Sequence, residues 1–73
     1  MQILDRVNLL LDDLLSEAPK SIRKYLQQAK VYLRRSDYFA AYGEVFLAFH
    51  KCKDKKLCFK LYDLKSLMYG LLL

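Results

Sequence analysis

Apolar residues recur at helical spacing along almost the whole chain, and the breaks in that rhythm divide it into three or four helices. From residue 2 to 18, Leu4, Val7, Leu10, Leu11, Leu14 and Ala18 fall on one side while Asp5, Asn8, Asp12, Asp13 and Glu17 take the other, the pattern of an amphipathic helix. Pro19 ends or bends this segment. With Ser16 as a cap and Pro19 inside the first turn, a second helix begins here and runs to about Arg35. Its inner stripe is Ile22, Tyr25, Leu26, Ala29, Tyr32 and Leu33, against an outer face of Arg23, Lys24, Gln27, Gln28, Lys30 and Arg34. Arg34 and Arg35 occupy the last turn, where cations suit the negative end of the helix dipole. Ser36 and Asp37 then make a tight break, and the Asp37 side chain can accept a hydrogen bond from the next first turn.

The third helix, Tyr38 to about Lys53, carries two apolar stripes. Tyr38, Ala41, Val45, Ala48 and Cys52 form one, Phe39, Tyr42, Phe46 and Phe49 the other, and Leu47 lies off both. A helix apolar over most of its circumference needs cover on several sides, so the pattern predicts a central helix touching the second helix, the last helix and a further subunit. Ala41, Gly43 and Ala48 are small enough to let neighbours approach. Lys51 to Lys56 is polar without a breaker, which leaves open whether the helix pauses there. Leu57, Leu61, Leu64, Met68 and Leu71 then give a clean stripe for a last helix. Helix lengths in ordinary domains favour a pause over one merged helix. The terminal Leu71-Leu72-Leu73 suggests docking onto the body.

Composition agrees with an all-α antiparallel bundle. Gly and Pro together number three in 73 residues, while 55% of the chain is hydrophobic and six Tyr and four Phe are present. Strand-rich chains need frequent turn residues, and long runs of Leu, Lys, Gln, Ala and Arg favour helix. A chain of this length forms one domain, residues 1–73. It buries only about 60% of the surface its unfolded form exposes, and the apolar content exceeds what so small a body hides. A second copy covering the remainder, a dimer, is therefore expected. No apolar run approaches the ~20 residues that span a bilayer, and Met1 leads into an acidic amphipathic pattern rather than a targeting segment. Cys52 and Cys58 make no disulfide framework, so the expectation is a cytoplasmic protein with free thiols.

The second and third helices resemble one tetratricopeptide-type hairpin. With Ile22 as the first position of a ~34-residue repeat, Tyr25, Ala29, Tyr32, Ala41, Val45 and Ala48 fall where that repeat wants its packing residues, and Asp37-Tyr38 where it turns. Gln28 and Lys53 depart from the pattern, and a lone repeat does not bury enough to fold. The run Ala29, Tyr32, Leu33, Asp37, Tyr38, Ala41, Val45 and Ala48 is also similar to an archaeal family, the domain of unknown function 357. That resemblance implies a short helical bundle and no particular activity. Beyond His50 this chain has Lys51, Lys53, Lys55 and Lys56 where the family has small and acidic residues.

Candidate chemistry is sparse. His50 is the single histidine. Cys52 lies two positions away on another face, so a Cys-His pair is not assembled on one helix. His50, Cys52 and Cys58 fall short of the four ligands of a structural zinc site. The small helical domains called HEPN place an arginine a short stretch ahead of a histidine, but the matching positions before His50 hold Val45, Glu44 and Gly43. No glycine-rich phosphate loop occurs. The sequence thus predicts neither enzyme nor cofactor. Charge is uneven: residues 1–18 carry one cation and four acids, net −3, and residues 19–73 twelve cations and four acids, net +8. Lys51, Lys53, Lys55, Lys56 and Lys60 make a candidate nucleic-acid contact, although a solvated lysine-rich turn has the same composition. Tyr62 and Tyr69 flank the last apolar stripe, where a ring half wet and half buried suits a protein interface. With Phe39 and Phe46 they form the candidate interface. The sequence therefore points to a self-associating interaction or scaffold module, with electrostatic nucleic-acid binding as the alternative.

Overall fold

The structure, a computed structural model, describes residues 2–73. The described residues form four helices: α1 (Ile3–Glu17), α2 (Lys20–Arg34), α3 (Tyr38–Lys51) and α4 (Lys55–Leu72). Each helix contributes a narrow seam to one core. Val7, Leu11 and Leu14, with the C-cap residue Ala18, come from the first and Ile22, Leu26, Ala29 and Leu33 from the second. Ala41, Val45 and Ala48 come from the third and Leu57, Leu61, Leu64 and Met68 from the fourth. The spacing within each seam alternates between three and four residues, the register of knobs-into-holes packing in four-helix bundles.

The helices form a closed ring in which α1 packs on α2 and α4, and α3 packs on α2 and α4. Neighbours run antiparallel: Ile3 lies against Gly70 and Glu17 against Lys60 across α1 and α4, and Tyr42 meets Tyr69 while Phe49 meets Tyr62 across α3 and α4. Extents of 28 × 20 × 19 Å match two helices by two at interaxial spacings of about 10 Å. The third helix is therefore a corner of the ring, equivalent to the others, rather than its centre. Its inward seam is the one built from two alanines and a valine.

Local chemistry sets the breaks. Asp37 caps α3 by accepting from Ala40 N at 3.2 Å, as its position in the sequence implies. Ser36 just before it has φ of 59°, the left-handed conformation that closes a helix, and Asp37 N donates back to Tyr32 O at 2.9 Å. Pro19 is the N-cap residue of α2 rather than a member of its first turn. The Ser16 hydroxyl bonds Asp13 O at 2.6 Å within α1 instead of capping α2. Arg23 closes this junction by donating to Ala18 O at 2.9 Å. Between α3 and α4 the helix does pause, at Cys52–Asp54. Asp54 is the cap, accepting from Lys56 N at 3.1 Å through its side chain and from Cys58 N at 2.8 Å through its carbonyl. The terminal leucines divide: Leu71 packs against the core, whereas Leu73 is 92% exposed.

Candidate interaction surface

Once Ala41, Val45 and Ala48 face inward, helical geometry aims Tyr38, Tyr42, Phe46 and Phe49 along the flank of α3 that adjoins α4, with Phe39 and His50 beyond them. The matching flank of α4 carries Cys58, Tyr62, Lys65 and Tyr69, with Phe59 and Ser66 further out. The rings meet across the two helices. Tyr42 lies 6.4 Å from Phe46 and 6.3 Å from Tyr69, and Phe49 lies 6.1 Å from Tyr62, centroid to centroid. These separations are within the range of attractive aromatic pairs. The His50 ring sits 4.4 Å from Phe46, tilted, and 6.0 Å from Phe49, edge-on, so the one histidine lies exposed at the border of this surface. The Lys65 ammonium lies 5.4–5.7 Å from the centroids of Phe49, Tyr62 and Phe46, a cation held over three ring faces.

Three of the four candidate interface residues, Phe46, Tyr62 and Tyr69, therefore share one continuous surface. Phe39 extends its α3 row and is 78% exposed. Phe59, 72% exposed, belongs to the same surface and lies two positions off the Leu57–Leu61 seam, so a reading confined to stripes passes over it. It lines an open apolar groove of about 660 Å³ with Phe49, Cys58 and Tyr62, flanked by Lys55 and Asp63. Gly43 turns outward, and a methyl group added there would meet nothing within 4 Å. Its small size does not serve helix approach inside the bundle. Leu47, 45% exposed, lies on the opposite flank of α3, toward α2, where Lys51 reaches over the Tyr25 ring at 6.0 Å.

The lysines that cluster in sequence face several ways. Lys60 turns to α1 and bonds Glu17 at 2.7 Å, with Asp13 at 3.8 Å. The hydrogen bond to Glu17, and then the two carboxylate charges, hold its ammonium above the ordinary lysine range. Lys30 makes a further ion pair from α2 to Asp12. The acids of α1 thus draw in lysines from both of its neighbours. Lys53, Lys55 and Lys56 remain exposed around the α3–α4 turn, and Lys56 shares a hollow with Glu17 and Asp54.

At that turn the two cysteines converge. Cys52 Sγ lies 3.3 Å from Asp54 O. Burial, and then the neighbouring Cys58 thiol, push the Cys52 thiol up to about 11. Among the described residues no group of three metal-ligating side chains occurs, and no helix is long and apolar enough to cross a membrane. No protein-family model, curated protein or solved structure matches the chain.

Proposed function

We propose that this chain is a non-catalytic self-associating interaction module, with the α3–α4 aromatic surface as the face that meets a second copy. One observation carries the reading: the bundle closes its core without Phe39, Phe46, Phe59, Tyr62 and Tyr69, which stand 40–78% exposed on one side. At roughly 200 Å² per aromatic residue, they leave about 600 Å² of ring surface open to water. That equals the largest patches found on ordinary monomers. With a polar rim it approaches the ~800 Å² per partner of a standard interface.

The relief of the surface favours a copy of itself. Along α3 the row reads Phe39, Gly43, Phe46, and along α4 Tyr62, Ser66, Tyr69. In each a small residue lies between two large ones, so each helix offers both knobs and holes. A two-fold axis sets the knobs of one copy into the holes of the other. His50 and Lys65 already lie against aromatic rings, and every core residue described is apolar.

Light scattering at micromolar concentration should report about twice the 8.7 kDa chain mass. Phe39→Lys combined with Phe59→Lys should give a monomer with unchanged helix content. Leu9→Lys, an exposed site on α1 across the ring from α3, should remain a dimer. A wild-type monomer at high concentration would sink the proposal, as would a dimer broken by Leu9→Lys and not by the Phe pair.

A further inference from the structure

Cys52 is the C-cap residue of α3 and the next member of the row Ala41, Val45, Ala48. Cys58 lies in the first turns of α4, on the flank that faces α3. A single carbonyl fixes both: Asp54 O takes the Cys52 thiol at 3.3 Å and the Cys58 backbone N–H at 2.8 Å. The shared carbonyl brings the Cys52 sulfur and the Cys58 backbone to one point, and both residues are half-buried. Cys58 also lines the open apolar groove, which gives a reagent access to its sulfur. Lys53, Lys55 and Lys56 stand exposed around the same turn, a local excess of positive charge that concentrates anions.

We propose that Cys52 and Cys58 form a reversible intramolecular disulfide, made by exchange with an anionic low-molecular-weight disulfide such as oxidised glutathione, which ties the end of α3 to the start of α4. Cys58, as its thiolate, attacks one sulfur of the reagent and expels a glutathione thiolate. Cys52 gives its proton to water and attacks the Cys58 sulfur, expelling the second glutathione thiolate. One S–S bond is broken in the reagent and one is formed in the protein. The protein gives up two electrons, and the reagent takes them as two thiolates, which the two released protons neutralise. The order follows from the environment: a thiol whose proton is held by burial is the poorer first nucleophile. The disulfide joins two sulfurs of one chain and needs no second copy, although the groove that admits the reagent belongs to the proposed self-association face.

The full chain is equilibrated in glutathione buffers from fully reduced to fully oxidised, quenched with iodoacetamide and weighed by denaturing mass spectrometry. At the reduced end two cysteines should be alkylated. At the oxidised end neither should be, and the chain should be lighter by two hydrogens, a change that fresh reduced glutathione reverses. Cys52→Ser should stop as the glutathione adduct of Cys58. The oxidised wild type should melt at a higher temperature than the reduced one, because ring closure restricts the unfolded chain. The anionic glutathione disulfide should react faster than the cationic disulfide cystamine, by a margin that shrinks with salt. A wild type that stalls as the adduct, keeps both thiols alkylatable or pairs only between chains would overturn the proposal. So would a lower melting temperature on oxidation, and equal rates with the two reagents would overturn the anionic class.

Discussion

Two substitutions on α3, two residues apart, should move stability in opposite directions. Ala41 is fully buried and faces the core between α2 and α4, whereas Gly43 points outward with open space where a methyl group would go. Ala41→Leu forces three extra carbons into a closed seam, and overpacking of this kind costs about 1–3 kcal/mol. Within one bundle Gly43→Ala removes the backbone freedom of a mid-helix glycine without a clash, and the folding of the single chain should gain about 0.5–1 kcal/mol. For 73 residues, total stability is of the order of 4–11 kcal/mol, so the first change consumes a sizeable share. At about 4–8 °C per kcal/mol for a domain this small, Ala41→Leu should lower Tm by roughly 4–24 °C. Gly43→Ala should raise it by roughly 2–8 °C.

Urea and thermal unfolding followed by far-UV circular dichroism supply both numbers. Each is measured at two protein concentrations, so that stabilisation by association is separated from that of the fold. The contrast tests which of the two apolar stripes of α3 faces inward. If the aromatic stripe lay in the core instead, Ala41 would be free to grow and Gly43 would lie near the packed surface. Ala41→Leu within about 0.5 kcal/mol of wild type, together with a destabilising Gly43→Ala, would refute the placement of α3. Values that small are typical of exposed sites.

Ser36 holds a positive φ that glycine adopts without strain, so Ser36→Gly should stabilise the chain by about 0.5–1 kcal/mol in the same urea assay; a loss would mean the α2 terminus is built differently. Cys52 has its thiol pushed up to about 11, so the folded chain keeps a proton that an unfolded chain with an ordinary thiol releases. Wild type should therefore lose stability relative to Cys52→Ala as pH rises from about 9 to about 11, and parallel pH profiles would contradict this. Because Lys60 is engaged by Glu17 and Asp13, the chain should show no retention of duplex nucleic acid at low salt. Binding that weakens steeply with salt, and whose slope flattens when Lys53, Lys55 and Lys56 become Gln, would replace self-association with an electrostatic nucleic-acid role.

The seams were legible because they obey one rule. Val7, Leu11, Leu14 and Ala18, then Ile22, Leu26, Ala29 and Leu33, then Leu57, Leu61, Leu64 and Met68 repeat at the helical period and are buried, whereas Leu4, Leu10, Tyr25, Tyr32 and Leu71 of the same stripes pack half-buried at their edges. The caps were less so. Asp37 stands directly after a basic helix end and reads as a start signal, and it caps α3. Asp54 is the same residue type doing the same job, but it sits inside a run of lysines. The charge run masked a helix start that a search for Asp ahead of Leu57 finds. Pro19 illustrates the converse. Its ring fixes φ near the helical value, which suits the first turn, yet the extended ψ of 162° places it one residue outside.

Composition cannot say which stripe of α3 turns inward, because the aromatic stripe is the more apolar of the two. The deciding quantity is volume. The other three seams bring seven leucines, an isoleucine and a methionine to one axis, and a fourth seam of Phe39, Tyr42, Phe46 and Phe49 would overfill it. Two alanines and a valine let α3 close the ring at native packing density. The aromatic stripe is then displaced to the flank, where it meets the rings of α4. The exposed aromatic surface and the small-residue seam are thus consequences of one constraint. Any sequence that keeps Ala41, Val45 and Ala48 inward leaves Phe39 and Phe46 outward, so core packing alone gives no reason for those positions to be aromatic, and the proposed contact with a second copy would supply one.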